Sequence, residues 1–258
     1  MSMKPFHEMR PGEIIKARDK SGCAFVPVGP IEWHSFHLPI GTDAIIAEQI
    51  CIIVAEKING VYFKPLNLGT DEYRREDDLK KWGFDINDII FGMNFPELPL
   101  ASEYCSREEL ESDIRRRLNF LKECKFRYVF VVNHHGGIGQ NEWLSEICDE
   151  LNSKNFAVEF VNSYRFMTLK EKELSPYFGG HAGISETTFL MAFRPDLADL
   201  NSIPVGKLIV RKTGVLHDNP VIDEIYNPRN INISLAAALR ENIVNNFYNF
   251  IKELLNSK

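Results

Sequence analysis

The chain has 258 residues, 44 % apolar and 26 % charged, with a formal net charge of −6. That composition is ordinary for a globular protein and can bury a core without disulfides or a structural metal, so any metal is expected to be functional. The acidic balance argues against nucleic acid or an anionic membrane as a partner.

The N-terminal stretch MSMKPFHEMRPGE lacks the apolar core of a signal peptide. Residues 1–22 read as an irregular lead-in with a short helix near Pro11–Arg18. CAFVPV at 23–28, between Gly22 and Gly29, reads as a buried strand. A helix is expected from about 43 to 58, with Thr42 as N-cap and Asn59-Gly60 as stop. VYFKPL at 61–66 reads as a second strand. This is a βαβ unit, and in such units functional groups gather beyond the carboxyl ends of the strands.

Residues 70–105 break the rhythm. A charged stretch with one short helix around 74–82 precedes a Pro-rich one, and the segment reads as divergent or inserted: a lid, a subunit contact, or neither. Ser106 and Glu109 form a capping box that opens a helix over 106–124, with Ile114, Leu118 and Leu121 inward. Arg115-Arg116-Arg117 on that helix reads as a solvated face. Arg127–Val132 is a continuous apolar strand, followed by Asn133-His134-His135-Gly136-Gly137. A helix from about 140 to 152 and a strand over Phe156–Val161 come next. Residues 165–182 read as a loop, 184–193 as a helix stopped by Pro195, 200–228 as irregular, and Ser234–Leu255 as an amphipathic helix. With no repeat or linker, residues 1–258 are expected to form a single α/β domain. Five cysteines without a C-x-x-C pair suggest reduced thiols, and no apolar run reaches the roughly 18 residues of a membrane span. A cytoplasmic protein is expected.

Three clusters carry chemistry. VPVGPIEWHSFHLPIGTD at 26–43 places Glu32, His34, His37 and Asp43 close together. Such a group is costly to bury unless something pairs with it, and a divalent metal is the simplest partner. Carboxylate and imidazole ligands without thiolate suit Zn²⁺, Mn²⁺ or Fe²⁺. Asp43 can bridge two ions, but an acid at a helix start is also favoured by the dipole alone. The second cluster is NHHGGIGQN at 133–141. It offers His135 to a crevice, and its glycines also allow a phosphate-binding turn, although the full G-x-G-x-x-G is absent. The third is GGHAGISET at 179–187, with His181 and Glu186 flanking a turn into a helix.

These residues carry a resemblance. Glu32-x-His34-x-x-His37-Leu38-Pro39-x-Gly41-Thr42-Asp43 resembles the creatininase (creatinine amidohydrolase) signature E-x-H-G-x-H-L-P-x-x-T-D. Asn133-x-His135-Gly136-Gly137 resembles the family's N-G-H-G-G-N, and His181-Ala182-Gly183-x-x-Glu186-Thr187 resembles its H-A-G-E-x-E-T-S. Asn227-Pro228-Arg229 resembles a weaker N-P-R. The matches come in family order over about residues 10–250.

The resemblance implies a three-layer α/β/α fold around a mostly parallel sheet. It implies a hydrolase of C–N bonds in cyclic amides, formamides or peptides, with two divalent ions and a hexameric assembly. Carried over by position, Glu32, His34, Asp43 and His135 are metal ligands, with Asp43 bridging. Creatinine-cleaving members use a Glu two residues after the ligand His, where this chain has Gly137. Glu186 is then the substitute, a ligand within the catalytic group. His181 matches a family acid/base histidine, and His37 is expected behind the ligands. Further departures are His134, Ile138 and Ile184 in place of Gly, Asn and Glu. The family's substrate loop is not recognisable in 70–105, and residues 174–180 hold no Trp.

The expected function is attack of metal-activated water on a small amide such as creatinine, with His181 passing the proton to the leaving nitrogen. A formamide hydrolase of a pterin or flavin pathway, or a peptide-cleaving member, is the alternative within the class. A non-catalytic metal-stabilised binding or assembly protein is the alternative outside it.

Overall fold

Four short apolar segments set the frame of the computed structural model, which describes residues 3–168 and 179–256. Strands β1 (Cys23–Val28), β2 (Val61–Tyr62), β3 (Tyr128–Asn133) and β4 (Ala157–Asn162) form one all-parallel sheet in the order β2-β1-β3-β4. The register sets Phe25 beside Phe130 and Val28 beside Asn133. β1 and β3 therefore end side by side. Their connections leave in opposite directions along the sheet, and a crevice opens where they part.

Successive side chains on a strand face opposite ways, and both faces here are buried. Cys23, Phe25, Phe130 and Val132 meet Ile46, Ile50 and Val54 of α2 (Thr42–Ile58) and the C-terminal helix (Ile233–Asn256). The rings of Phe25 and Phe130 stack at 5.1 Å, and Phe247 meets both edge-on. Val26, Val129, Val131 and Val158 face the other way. They meet Ile114, Leu118 and Leu121 of α4 (Arg107–Glu123) and Leu144 and Ile147 of α5 (Ile138–Leu151). The result is the three-layer α/β/α arrangement.

Local details depart from the sequence reading. Gly41, not Thr42, stands at the N-cap of α2; Thr42 is already helical and its hydroxyl donates to the Pro39 carbonyl. The second strand keeps ladder form only over Val61–Tyr62, because Pro65 has no N–H to give. The chain still follows β1, with Phe63 N donating to Phe25 O and Leu66 N to Pro27 O. The Ser106–Glu109 capping box forms as expected. Helix α1 is Pro11–Lys20, α3 is Glu76–Trp82, and α6 is Ile184–Phe193. Part of the loop expected over 165–182, and of the stretch without Trp at 174–180, lies outside the described residues.

The segment over 70–105 makes its own apolar cluster. Leu79, Trp82, Ile90, Met93 and Phe95 pack with Trp33 and with Leu208, Val210, Val215 and Leu216 from the irregular region. Trp33 is the pin: its backbone N–H donates to Ser102 Oγ and its indole N–H to the Thr213 carbonyl.

Candidate metal centre

The loop after β1 is held from two sides. Glu32 N donates to Ile40 O, closing the loop, and Glu103 N donates to Ile31 O. Glu32 and His34 are thereby set beside the first turn of α2, which carries Asp43. His135 enters from the end of β3. His181 comes from a segment paired with Leu216, and Glu186 stands in the first turn of α6. All six sequence-predicted site residues converge, and five of them are buried, His181 being the least enclosed.

The imidazole orientations decide what the cluster can do. His34 Nδ1 lies 2.9 Å from the Glu32 carbonyl, His135 Nε2 3.2 Å from the Thr70 carbonyl, and His181 Nε2 2.5 Å from the Trp33 carbonyl. A carbonyl only accepts, so each of these nitrogens carries the proton. The other nitrogen of each ring then faces carboxylate oxygens. His135 Nδ1 is 3.2 Å from Asp43 Oδ2 and 3.3 Å from Glu32 Oε2. His34 Nε2 is 3.7 Å from Asp43 Oδ1 and 3.6 Å from Glu186 Oε2. His181 Nδ1 is 3.8 Å from Glu32 Oε2 and 3.7 Å from Glu186 Oε2. Lone pairs meet lone pairs, and only protons or cations hold them together.

Without metal, protons take that place. Burial alone would lower the His34 imidazole, but the carboxylates of Asp43, Glu186 and Glu32 override it and raise it to about 10. His135 is likewise raised well above its ordinary value against burial, chiefly by Glu32 and Asp43. Burial would raise Glu32, yet the surrounding imidazoles, His135 first, hold it down to about 2. Asp43 lies well below its ordinary value for the same reason, with His34 foremost.

The residues fit a divalent metal. Glu32 Oε2, His34 Nε2 and Asp43 Oδ1 are buried with no hydrogen-bond partner among the described residues. Each such atom costs about 1–3 kcal/mol if nothing satisfies it. Glu32, Asp43 and His135 offer ligand atoms within 4.8 Å of one another, and so do His34, Asp43 and Glu186. Asp43 belongs to both groups, one oxygen toward each. Glu32, His34 and His181 make a third such group.

Position 137 explains a departure from the expected motif. A Cβ there would stand 2.5 Å from His135 Nε2 and 3.1 Å from the Thr70 carbonyl. With His135 held this way, a glutamate at 137 has no room, and Glu186 fills the far side of the centre instead. Glu186 also has a structural task, since its Oε2 accepts from the Ala182 N–H at 2.6 Å.

Two neighbouring histidines lie outside the cluster. His37 Nε2 bonds Thr187 Oγ1 at 2.9 Å, tying the loop to α6. His134 stacks on Tyr164 and lies 2.5 Å from Ser163 Oγ. Burial holds both imidazoles down to about 4.

An open cleft of about 620 Å³ leads to the centre. Asp71 and Arg74, paired at 2.7 Å, line it together with Trp82, His217 and Tyr226. A larger groove of about 1220 Å³ lies among Lys20, Lys122, Lys125, Arg127 and Lys154, and it holds none of the clustered groups.

The sequence profile of the creatininase family, described as creatinine amidohydrolase, matches residues 7–83 and 102–215. The chain belongs to the creatininase family. No curated protein matches it. Among solved structures, a Bacteroides fragilis protein proposed as a creatinine amidohydrolase is 18% identical, with TM-score 0.69, covering 99% of this chain and 97% of that one. A manganese form of creatininase is 18% identical with TM-score 0.73, covering 98% and 99%. A Glu-to-Gln creatininase complexed with creatine is 19% identical with TM-score 0.70, covering 97% and 98%. At that identity the likeness is one of fold. The family profile skips residues 84–101, the middle of the segment that the sequence leaves unread. In this creatininase-family chain, the two ends of the 70–105 segment, both within the matched residues, supply groups the sequence did not flag. Tyr104 donates to Glu32 Oε1, and Thr70 receives His135 while its own N–H is fixed by Gln140.

Proposed function

We propose that the chain is a metal-dependent amidohydrolase that cleaves the C–N bond of a small amide, cyclic or closely related. The carrying observation is the set of imidazole nitrogens, each with its ring partner committed to a backbone carbonyl, aimed at buried carboxylates beyond the ends of β1 and β3. Glu32, Asp43 and His135 would hold one divalent ion and His34, Asp43 and Glu186 a second, with Asp43 bridging. Zn²⁺ is the first choice for this donor set, and Mn²⁺ or Fe²⁺ are also served by it.

Bound there, the ions supply a water that ionises near neutral pH and a Lewis acid for the carbonyl oxygen. The chain does the rest. The Glu32 and Thr70 carbonyls fix the tautomers of His34 and His135, as outer partners do in metal sites. His181 stands at the mouth, with 12% of its side chain exposed against 0% for His34 and 5% for His135. With Nε2 committed to Trp33, its Nδ1 is the atom that takes a proton and returns it to the leaving nitrogen. The cleft wall from Asp71 to Trp82 and from His217 to Tyr226 selects the substrate.

The test is metal-reconstituted protein assayed on creatinine, N-formyl aminopyrimidines and short peptides. Turnover of at least one, lost on chelation and restored by Zn²⁺ or Mn²⁺, is expected. Full metal content with no turnover on any of them would instead favour a metal-stabilised binding or assembly protein.

A further inference from the structure

Tyr104 lies just inside the matched stretch that resumes at residue 102, and its hydroxyl enters the centre from behind. The pairing of Glu103 N with Ile31 O runs this segment antiparallel to the ligand loop and brings Tyr104 beside Glu32. The ring is held edge-on against Phe91 at 5.3 Å. The Met93 N–H donates to the hydroxyl oxygen at 2.9 Å. With one lone pair so engaged, the hydroxyl proton points at Glu32 Oε1. The two carboxylate oxygens thus become unequal. Oε1 is occupied by Tyr104, while Oε2 has no hydrogen-bond partner among the described residues and lies 3.3 Å from His135 Nδ1.

We propose that Tyr104 is a positioning residue for the ion held by Glu32, Asp43 and His135, confining Glu32 to ligation through Oε2 alone. This rests on the metal reading above. Both bonds of the Tyr104 hydroxyl go elsewhere than to the His34–Asp43–Glu186 group, so the two ion positions differ in their dependence on it. The end of the 70–105 segment thereby acquires a function: it carries the group that steadies one half of the centre.

Tyr104→Phe keeps the ring and removes the hydroxyl. Chelator-stripped wild type and variant are titrated with Mn²⁺ and Zn²⁺, resolving two dissociation constants. The expected result is a roughly 10- to 100-fold loss at one ion, the size usual for an outer partner of a metal ligand. The other constant stays at its wild-type value. The weakened ion should be the one that Glu32→Gln removes. Two unchanged constants, or two weakened equally as general loosening would do, overturn the proposal while leaving the metal centre standing. A wild type that binds no divalent ion overturns both. A metal-loaded wild-type structure provides a readout independent of how the variant folds: Glu32 bound through Oε2 alone supports the proposal, and Glu32 bound through both oxygens overturns it.

Discussion

Five of the six clustered side chains make direct sense as ligands, and His181 stands apart by its exposure and its place at the mouth of the cleft. That difference predicts a split between chemistry and binding. His181→Asn should keep its metal while kcat falls about 10²- to 10⁴-fold, the usual worth of a general acid–base group. Metal analysis beside steady-state kinetics checks it, and loss of an ion would make His181 a ligand instead. Glu186→Gln should do the reverse, releasing the ion shared with His34 and Asp43 while the Glu32 side stays loaded. The residues legible in the sequence were those packed into short runs, Glu32 to Asp43 above all. Tyr104 was not legible, because its role depends on a contact across 72 positions and its own neighbourhood has no pattern. Thr70 acts through its backbone carbonyl, which no sequence motif displays.

Among the elements, the strands and helices whose signals are local are legible in the sequence. Ser106 accepts from Glu109 N at 3.2 Å, as its capping box requires. Ser106→Ala should cost about 1 kcal/mol in urea unfolding with metal binding unchanged. The second strand is shorter than its apolar composition suggests, because Pro65 interrupts the ladder. The glycines after β3 allow, on sequence alone, a close backbone approach to a ligand or a phosphate-binding turn. The close neighbour of Gly137 is in fact His135. Gly137→Ala should push that ring off the centre and weaken metal binding, with little change in far-ultraviolet circular dichroism. An unchanged affinity would mean that the ring relaxes freely. Behind the site, Phe247 closes the aromatic group with Phe25 and Phe130. Phe247→Ala should destabilise by about 3–5 kcal/mol through transfer and cavity terms.

At the scale of the whole molecule, the acid response follows from two histidines the centre does not use. His37 and His134 are held by burial to about 4, against about 6.5 in an unfolded chain. Above that range these two rings are neutral in both states and contribute no pH dependence. As pH falls from about 6.5 to 4, the unfolded chain takes up protons that the folded chain refuses, and stability is lost. Each group accounts for on the order of 3 kcal/mol. Urea unfolding of chelated protein between pH 7 and 4.5 should show the decline, and His134→Gln should make it shallower. An identical slope in the variant would remove His134 from this account. The strands of the α/β frame are legible as apolar runs between turn signals, while its three layers are what the family resemblance implies. The cleft wall is not legible, since residues 70–105 and 200–228 pack on each other through contacts far apart in sequence.

The central claim is that Asp43 joins two ion positions into one hydrolytic centre. Metal content per chain, measured on reconstituted wild type and Asp43→Ala, tests it most directly. Two divalent ions are expected in the wild type and none in the variant, with activity lost alongside. A variant that keeps both ions would contradict the bridging role and the centre built on it.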